Sequence, residues 1–286
     1  MINKEQYQHM NKDKLNYQLL DVCRDGHLDI VKYLLTSKDL KEHAYIHYKN
    51  NNGWNALIYA CYNGYLDIVK YLLTSPELTE HANIHHKDNM GWNALMYACY
   101  NGYLDIVKYL LTSPELTEHA NINYKGKSGE SALMIACEEG YLNIVQYLLS
   151  SPELTKHAEI KHKNNNGESA LMLACENGNL DIVQYLLTSP ELKTHFNIHD
   201  KNNDGMNILM LACHEEHLDI VQYLVIDINM KIDKNTMVWL QGNNEIIYNH
   251  VLKLIESRDL YQKLHNSIDS DKINNINKQK IKGIKI

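Results

Sequence analysis

NNGWNALIYACYNGYLDIVKYLLTSPELTEHANIHHKD, residues 51 to 88, decides the fold, because it recurs. Gly53, Gly91, Gly129, Gly167 and Gly205 stand 38 residues apart. All six cysteines, Cys23, Cys61, Cys99, Cys137, Cys175 and Cys213, keep that step, and so do all four prolines, Pro76, Pro114, Pro152 and Pro190. A fixed period of this length is the mark of a stacked repeat array. Such an array grows in one dimension, so 286 residues need not imply one or two globular cores.

Each repeat from the second to the sixth starts with a turn around Gly, near residues 51, 89, 127, 165 and 203. A helix N-cap follows: Asn55, Asn93, Ser131, Ser169 or Asn207. Asn and Ser accept the orphan N–H groups of a first turn. A short apolar helix such as ALMYAC, 94 to 99, then stops at Gly26, Gly64, Gly102, Gly140 or Gly178, where a left-handed residue costs little. The sixth repeat has Glu216 there, which predicts strain or a different turn. In the second helix, 65 to 73, Tyr65, Ile68, Val69 and Leu72 follow the one-face spacing, and Leu66 and Leu73 widen it. Ser75, Pro76 and Leu78 predict a short third helix of about five residues, ending near His81.

The ends depart from the frame. Residues 1–12 read as a flexible leader. The repeats are bounded 13–50, 51–88, 89–126, 127–164, 165–202 and 203–232. Residues 233–266 read as a degenerate capping repeat of two helices, roughly 235–241 and 244–256. Residues 267–286 read as a mobile polar and basic tail.

The net charge is -7 and the pI about 6.1, which disfavours nucleic acid or an anionic membrane as partner. The first 20 residues carry no apolar signal region, and no stretch nears the roughly 20 apolar residues of a membrane span. A cytoplasmic protein is expected. Equivalent cysteines should sit a helix-packing distance apart, roughly 8–10 Å. A disulfide needs Cα atoms within about 7 Å, so six buried free thiols are expected, in a reducing compartment. Abundant Asn, Lys, Ile and Tyr with a single Phe hint at an AT-rich genome.

NALIYAC (55–61), NALMYAC (93–99), SALMIAC (131–137), SALMLAC (169–175) and NILMLAC (207–213), each followed by a run such as GYLDIVKYLL (64–73), resemble the ankyrin repeat. HANIHHKDNMG, 81 to 91, resembles that family's run into the next turn. The resemblance spans about residues 13 to 256. It implies an all-α solenoid of helix-turn-helix units with turn or hairpin tips. The chain adds a short extra helix per repeat and a helical C-terminal cap. The Thr-Pro and His of the family signature are absent. The usual loop Gly is His43, His81, His119, His157 or His195, and five extra residues lengthen each unit to 38. This style of unit resembles families of giant viruses, intracellular bacteria and some protists, in which a partner could be a host protein.

The His ladder is the most tempting chemistry, but one His per repeat cannot close a site whose ligands lie about 2 Å from a metal. A helix-end residue capping carbonyls is the expectation. No Gly-x-Ser-x-Gly, P-loop or dinucleotide fingerprint is present, and buried thiols are not activated. The chain is expected to be no enzyme, with no cofactor and no metal.

In ankyrin proteins partners contact the turn tips and the exposed face of the first helix. The matching residues here are Trp54, Tyr62, Asn63, Met90, Trp92, Tyr100 and Asn101 in repeats two and three. In repeats four and five they are Glu130, Glu138, Glu139, Glu168 and Glu176, with Asn177 beside them. Repeat six gives Met206, His214 and Glu215. The concave surface is thus predicted aromatic in its first half and acidic in its second. Tyr and Trp anchor interfaces, and an acidic face steers a basic partner. Two bland readings stand beside this: repeats two and three record recent copying, or Trp54 and Trp92 pack on the next turn and stiffen the array.

A monomeric scaffold binding another protein is the leading expectation, with no nucleic acid and no membrane. An alternative is an adaptor whose C-terminal helices recruit machinery such as a ubiquitin ligase, although NEIIYNHVLKLIESRDL lacks the Leu-Pro start of an F-box-like segment. A third is a duplicated array without settled function.

Overall fold

The computed structural model describes residues 4–260, 262 and 263. Six helix pairs follow one another: α1 (Lys12–Asp25) with α2 (Leu28–Thr36), α3 (Ala56–Asn63) with α4 (Leu66–Thr74), α5 (Ala94–Tyr100) with α6 (Leu104–Thr112), α7 (Ala132–Glu138) with α8 (Leu142–Ser150), α9 (Ala170–Glu176) with α10 (Leu180–Thr188), and α11 (Ile208–His214) with α12 (Leu218–Gln222). The first helices pack on one another in one layer and the second helices in another, with less contact in the second layer. Between units the chain makes a tip closed by single β-bridges, Lys49 with Asn55 and its equivalents to Ser169. Ladders longer than one bridge are absent among the described residues. The fold is therefore the stacked array expected from the period, and the all-α solenoid that the resemblance implies.

The helices begin and end for the reasons the sequence offers. Asn55 Oδ1 accepts Ile58 N–H at 2.9 Å, Asn93 Oδ1 accepts Met96 N–H at 3.0 Å, and Ser131 Oγ accepts Met134 N–H at 3.4 Å. The first helices stop in the left-handed region, at Gly64 with φ 83° for example. Space demands glycine as well as φ: a Cβ on Gly102 would lie 2.3 Å from the Tyr141 ring. Glu216 carries the same turn with φ 62°, so the sixth repeat does hold strained backbone. Each pair buries Ile68, Val69 and Leu72 or their equivalents completely, each worth about 1.5–3 kcal/mol over exposure. All six cysteines are free and buried, and burial pushes every thiol well above its ordinary pKa.

The outer helices are stitched by a tyrosine ladder. Thr74 Oγ1 and Tyr109 OH lie 3.2 Å apart, as do Thr112 Oγ1 and Tyr147 OH. Lys70 and Lys108 sit over the Tyr109 and Tyr147 rings at 5.5 and 5.4 Å, close enough for cation–π attraction.

Three sequence expectations change. The short extra helix is a turn in repeats two to four: Leu78 N–H reaches Ser75 O at 3.1 Å, and Ala82 N–H then closes the loop onto Leu72 O at 2.8 Å. That early return leaves no room for a second helical turn. Only repeat five has a helical piece there, the 3-10 helix Lys193–His195. Residues 4–9, expected as part of a flexible leader, form a 3-10 helix, Lys4–His9, whose Tyr7 is buried against Tyr33. Asn11 then caps α1, which starts earlier than its counterparts because no preceding tip interrupts it. The third change is in repeat six, where α12 runs into a π-helical segment, Tyr223–Asp227.

At the C-terminal end, α13 (Lys234–Asn243) and α14 (245–260) lie on repeat six. Thr236, Leu240, Ile247 and Val251 are buried, and Asn207 Nδ2 donates to Thr236 Oγ1 at 3.1 Å. The expected tail, 267–286, lies outside the described residues. No helix among the described residues is long and apolar enough to cross a membrane.

Candidate interaction surface

His43, His81, His119 and His157 each place Nε2 3.0 Å from the carbonyl of Ser37, Ser75, Ser113 and Ser151. A carbonyl only accepts, so each Nε2 carries the proton. These side chains cap the extra turn, as expected. His195 departs, with Nδ1 3.3 Å from Leu192 O. Among the described residues no group of three or more His, Cys, Asp or Glu side chains is placed to hold a metal ion.

The tips and the exposed edge of the first helices bring Trp54, Tyr62, Trp92 and Tyr100 into one aromatic cluster. Two residues that sequence reasoning passed over, Tyr59 and Tyr97, join it. Trp54 lies 5.1 Å from Tyr59, 5.1 Å from Tyr62 and 4.6 Å from Tyr97. Trp92 lies 5.3 Å from Tyr97 and 5.7 Å from Tyr100, and Tyr62 stacks on Tyr100 at 6.4 Å. The centre of the cluster is Asp88, also missed. Its Oδ1 accepts Met90 N–H and Trp92 N–H at 2.9 and 2.8 Å. Its Oδ2 accepts Trp54 Nε1–H at 3.2 Å and Tyr97 OH at 2.6 Å. Burial first, and then the bond to Asp88, hold the Tyr97 hydroxyl far above its ordinary pKa. Trp54 therefore packs on the next repeat's tip. The signal was available: Asp88, 34 residues on, opens the tip that follows the one holding Trp54, and an indole N–H next to a carboxylate finds it.

Exposure sorts the rest. Met90 is 60% exposed and Tyr100 36%; Trp54, Tyr62 and Trp92 are half-buried. Asn63 and Asn101 are turned back on their own helices. Asn63 Nδ2 donates to Tyr59 O at 2.9 Å and Asn101 Nδ2 to Tyr97 O at 3.2 Å.

The second half is acidic, and its acids feel one another. Burial first, then the charges of Glu139, Glu176, Glu130 and Glu168, push the Glu138 carboxyl above the usual range. Burial also raises Glu139, and Glu176 is raised by burial and then by Glu168 and Glu215. Only His214, held 2.6 Å from Glu215, works in the other direction on Glu176. Glu139 is also the first cause of the raised pKa of Tyr100, so the two halves meet there. Glu168 is committed to its own turn, where Oε2 accepts Asn164 Nδ2–H at 2.8 Å. Glu130, its counterpart, has a buried Oε2 with no partner, and so does Trp92 at Nε1.

A family model described as Ankyrin repeats (3 copies) matches residues 6–80, 76–156 and 152–236. The chain belongs to the ankyrin-repeat family. Comparison with curated proteins returned no match. Ankyrin repeats are in general protein–protein interaction modules, and the family is in general non-catalytic.

Proposed function

We propose that this ankyrin-repeat protein is a non-catalytic scaffold that binds a partner protein through the concave edge of its first helices. Met90, Tyr62 and Tyr100 supply apolar contact, and Glu138, Glu139 and Glu176 supply charge. One observation carries the reading. Glu138, Glu139 and Glu176 share this edge, and among the described residues none of the ion pairs that Lys or Arg makes includes any of them. A face that leaves its charges uncompensated is suited to a partner that brings the opposite sign. The favoured partner is therefore a protein with a basic, partly apolar surface, which in an infected cell would be a host protein. Six buried free thiols suit action in a reducing compartment such as the cytoplasm.

Site-specific photo-crosslinking tests this. A crosslinker at Tyr100 or Glu139 should capture the partner, and one at Lys70, on the outer helix layer, should not. Capture at Lys70 with none at Tyr100 or Glu139 would place the interface on the other side.

A further inference from the structure

Turn four is built differently from its neighbours. In the other tips one side-chain oxygen ties down two backbone N–H groups. Asn50 Oδ1 holds Asn52 and Trp54 N–H at 2.9 and 3.0 Å, Asp88 Oδ1 holds Met90 and Trp92, Asn164 Oδ1 holds Asn166 and Glu168, and Asn202 Oδ1 holds Asp204 and Met206. The equivalent residue in turn four is Gly126, which has no side-chain oxygen to offer. Ser128 N–H and Glu130 N–H have no acceptor in its place. Trp92 Nε1–H is orphaned for the same reason, because its counterpart Trp54 Nε1–H goes to Asp88 Oδ2. Three donors thus surround a spot that holds a carboxylate one repeat earlier. A Cβ on Gly126 would lie 3.2 Å from Trp92 Nε1.

The surroundings match. Gly126 lines a groove of about 550 Å3 whose other walls include Lys49, Lys87, Lys125, Lys127, His85 and His86. Lys127 is itself a departure. Asn89, Asn165 and Asn203 stand at its position and tie their tips to the preceding repeat through Nδ2, at 2.7, 3.0 and 2.9 Å. Lys125 pairs with Glu159 at 3.7 Å and His85 with Glu118 at 3.2 Å. Among the described residues Lys49, Lys87 and Lys127 make no ion pair. Asp88 also borders the groove, but its oxygens are taken, Oδ1 by its own turn and Oδ2 by Trp54 and Tyr97.

We propose that turn four is a carboxylate-binding site and that the groove holds an acidic peptide. One Asp or Glu side chain of that peptide would accept the Ser128 and Glu130 amides, as Asp88 Oδ1 accepts those of its own turn. The lysines would meet the flanking charges. Glu130 is the internal competitor. Its unpartnered Oε2 lies 2.9 Å from where a Cβ of residue 126 would be, at the flexible end of a side chain that swings out when the ligand enters. The groove selects the charge opposite to that selected by the acidic concave face, and Glu130 belongs to both.

The full chain is titrated with an octaglutamate peptide at low salt, reading tryptophan fluorescence and calorimetry. Glu130→Gln should bind about two- to fivefold tighter than wild type, because one like charge is gone. Gly126→Asn rebuilds the Asn164–Glu168 arrangement of turn five. It should melt no lower than wild type and bind more than tenfold weaker. Lys127→Ala should weaken binding and flatten its salt dependence. No binding by wild type, weaker binding by Glu130→Gln, or undiminished binding by a folded Gly126→Asn would each overturn the proposal. So would binding of tripolyphosphate or single-stranded DNA in place of octaglutamate. If Gly126→Asn melts early, the sign of the Glu130→Gln change decides alone.

Discussion

Repeats two and three carry aromatic side chains on the same edge where repeats four and five carry acids, yet the two halves hold themselves in opposite ways. The aromatic half is satisfied at its centre: four donors converge on Asp88 within a cluster of six rings, with the buried Trp92 Nε1–H left without an acceptor. The acidic half is not. Glu138, Glu139 and Glu176 all have raised pKa values, and Glu130 Oε2 is buried without a partner. The frame beneath is the same in both. Stability is therefore built into the first half, and unspent electrostatic free energy is left in the second, where a partner can claim it.

The largest expected effect breaks the first half at its centre. Asp88→Ala removes the acceptor of four hydrogen bonds, and a loss of about 3 kcal/mol is expected, given that bonds to a charged group contribute about 1.5–3 kcal/mol each and neighbouring ones do not add. Asn164→Ala in the second half should cost less, roughly 1–2 kcal/mol, because its acceptor is neutral. Chemical denaturation of both variants checks this, and equal losses would erase the distinction.

Trp54→Ala should come next, at about 2 kcal/mol for a half-buried aromatic in contact with three rings. Trp54→Phe keeps the ring contacts and should lose about 1 kcal/mol with the Asp88 bond. If either substitution abolished partner binding at a temperature where the variant is folded, Trp54 would be an anchor after all.

In the acidic half the sign reverses. Glu138→Gln with Glu176→Gln should raise stability, by on the order of 0.5 kcal/mol, the scale of like-charge pairs at a helix surface. The same pair gives a pH test. Their native pKa values are raised, so the penalty is present above those values, shrinks as pH falls through them, and is gone below the ordinary glutamate value of 4.5. The stability gap between wild type and the double variant should thus close as pH is lowered from 7 towards 4.5. A gap that widens would show that other groups dominate.

Much of the frame was legible because it repeats. The caps Asn55 to Asn207, the left-handed glycines, the strain at Glu216, the carbonyl-capping histidines and the buried thiols all follow from a residue type set against a fixed period. What was hidden depends on contacts between units. Whether Trp54 faces a partner or the next tip depends on how repeats stack, and Asp88 looked like one more turn residue until stacking put it under the indole. The extra helix failed for a local reason, the early return of Ala82 to Leu72. Turn four could have been found by comparing Asn50, Asp88, Gly126, Asn164 and Asn202 directly. Its meaning needed the hydrogen bonds those side chains make.

The account turns on the division of labour between the two halves, and partner recovery across a salt series tests it most directly. Wild type, Trp54→Phe and Glu138→Gln/Glu139→Gln/Glu176→Gln are immobilised in equal folded amounts, and the partner identified by crosslinking is recovered on each. The account predicts that the triple variant loses most of the partner and its salt dependence while melting no lower than wild type, and that Trp54→Phe retains it. Full recovery on the triple variant with loss on Trp54→Phe would contradict it.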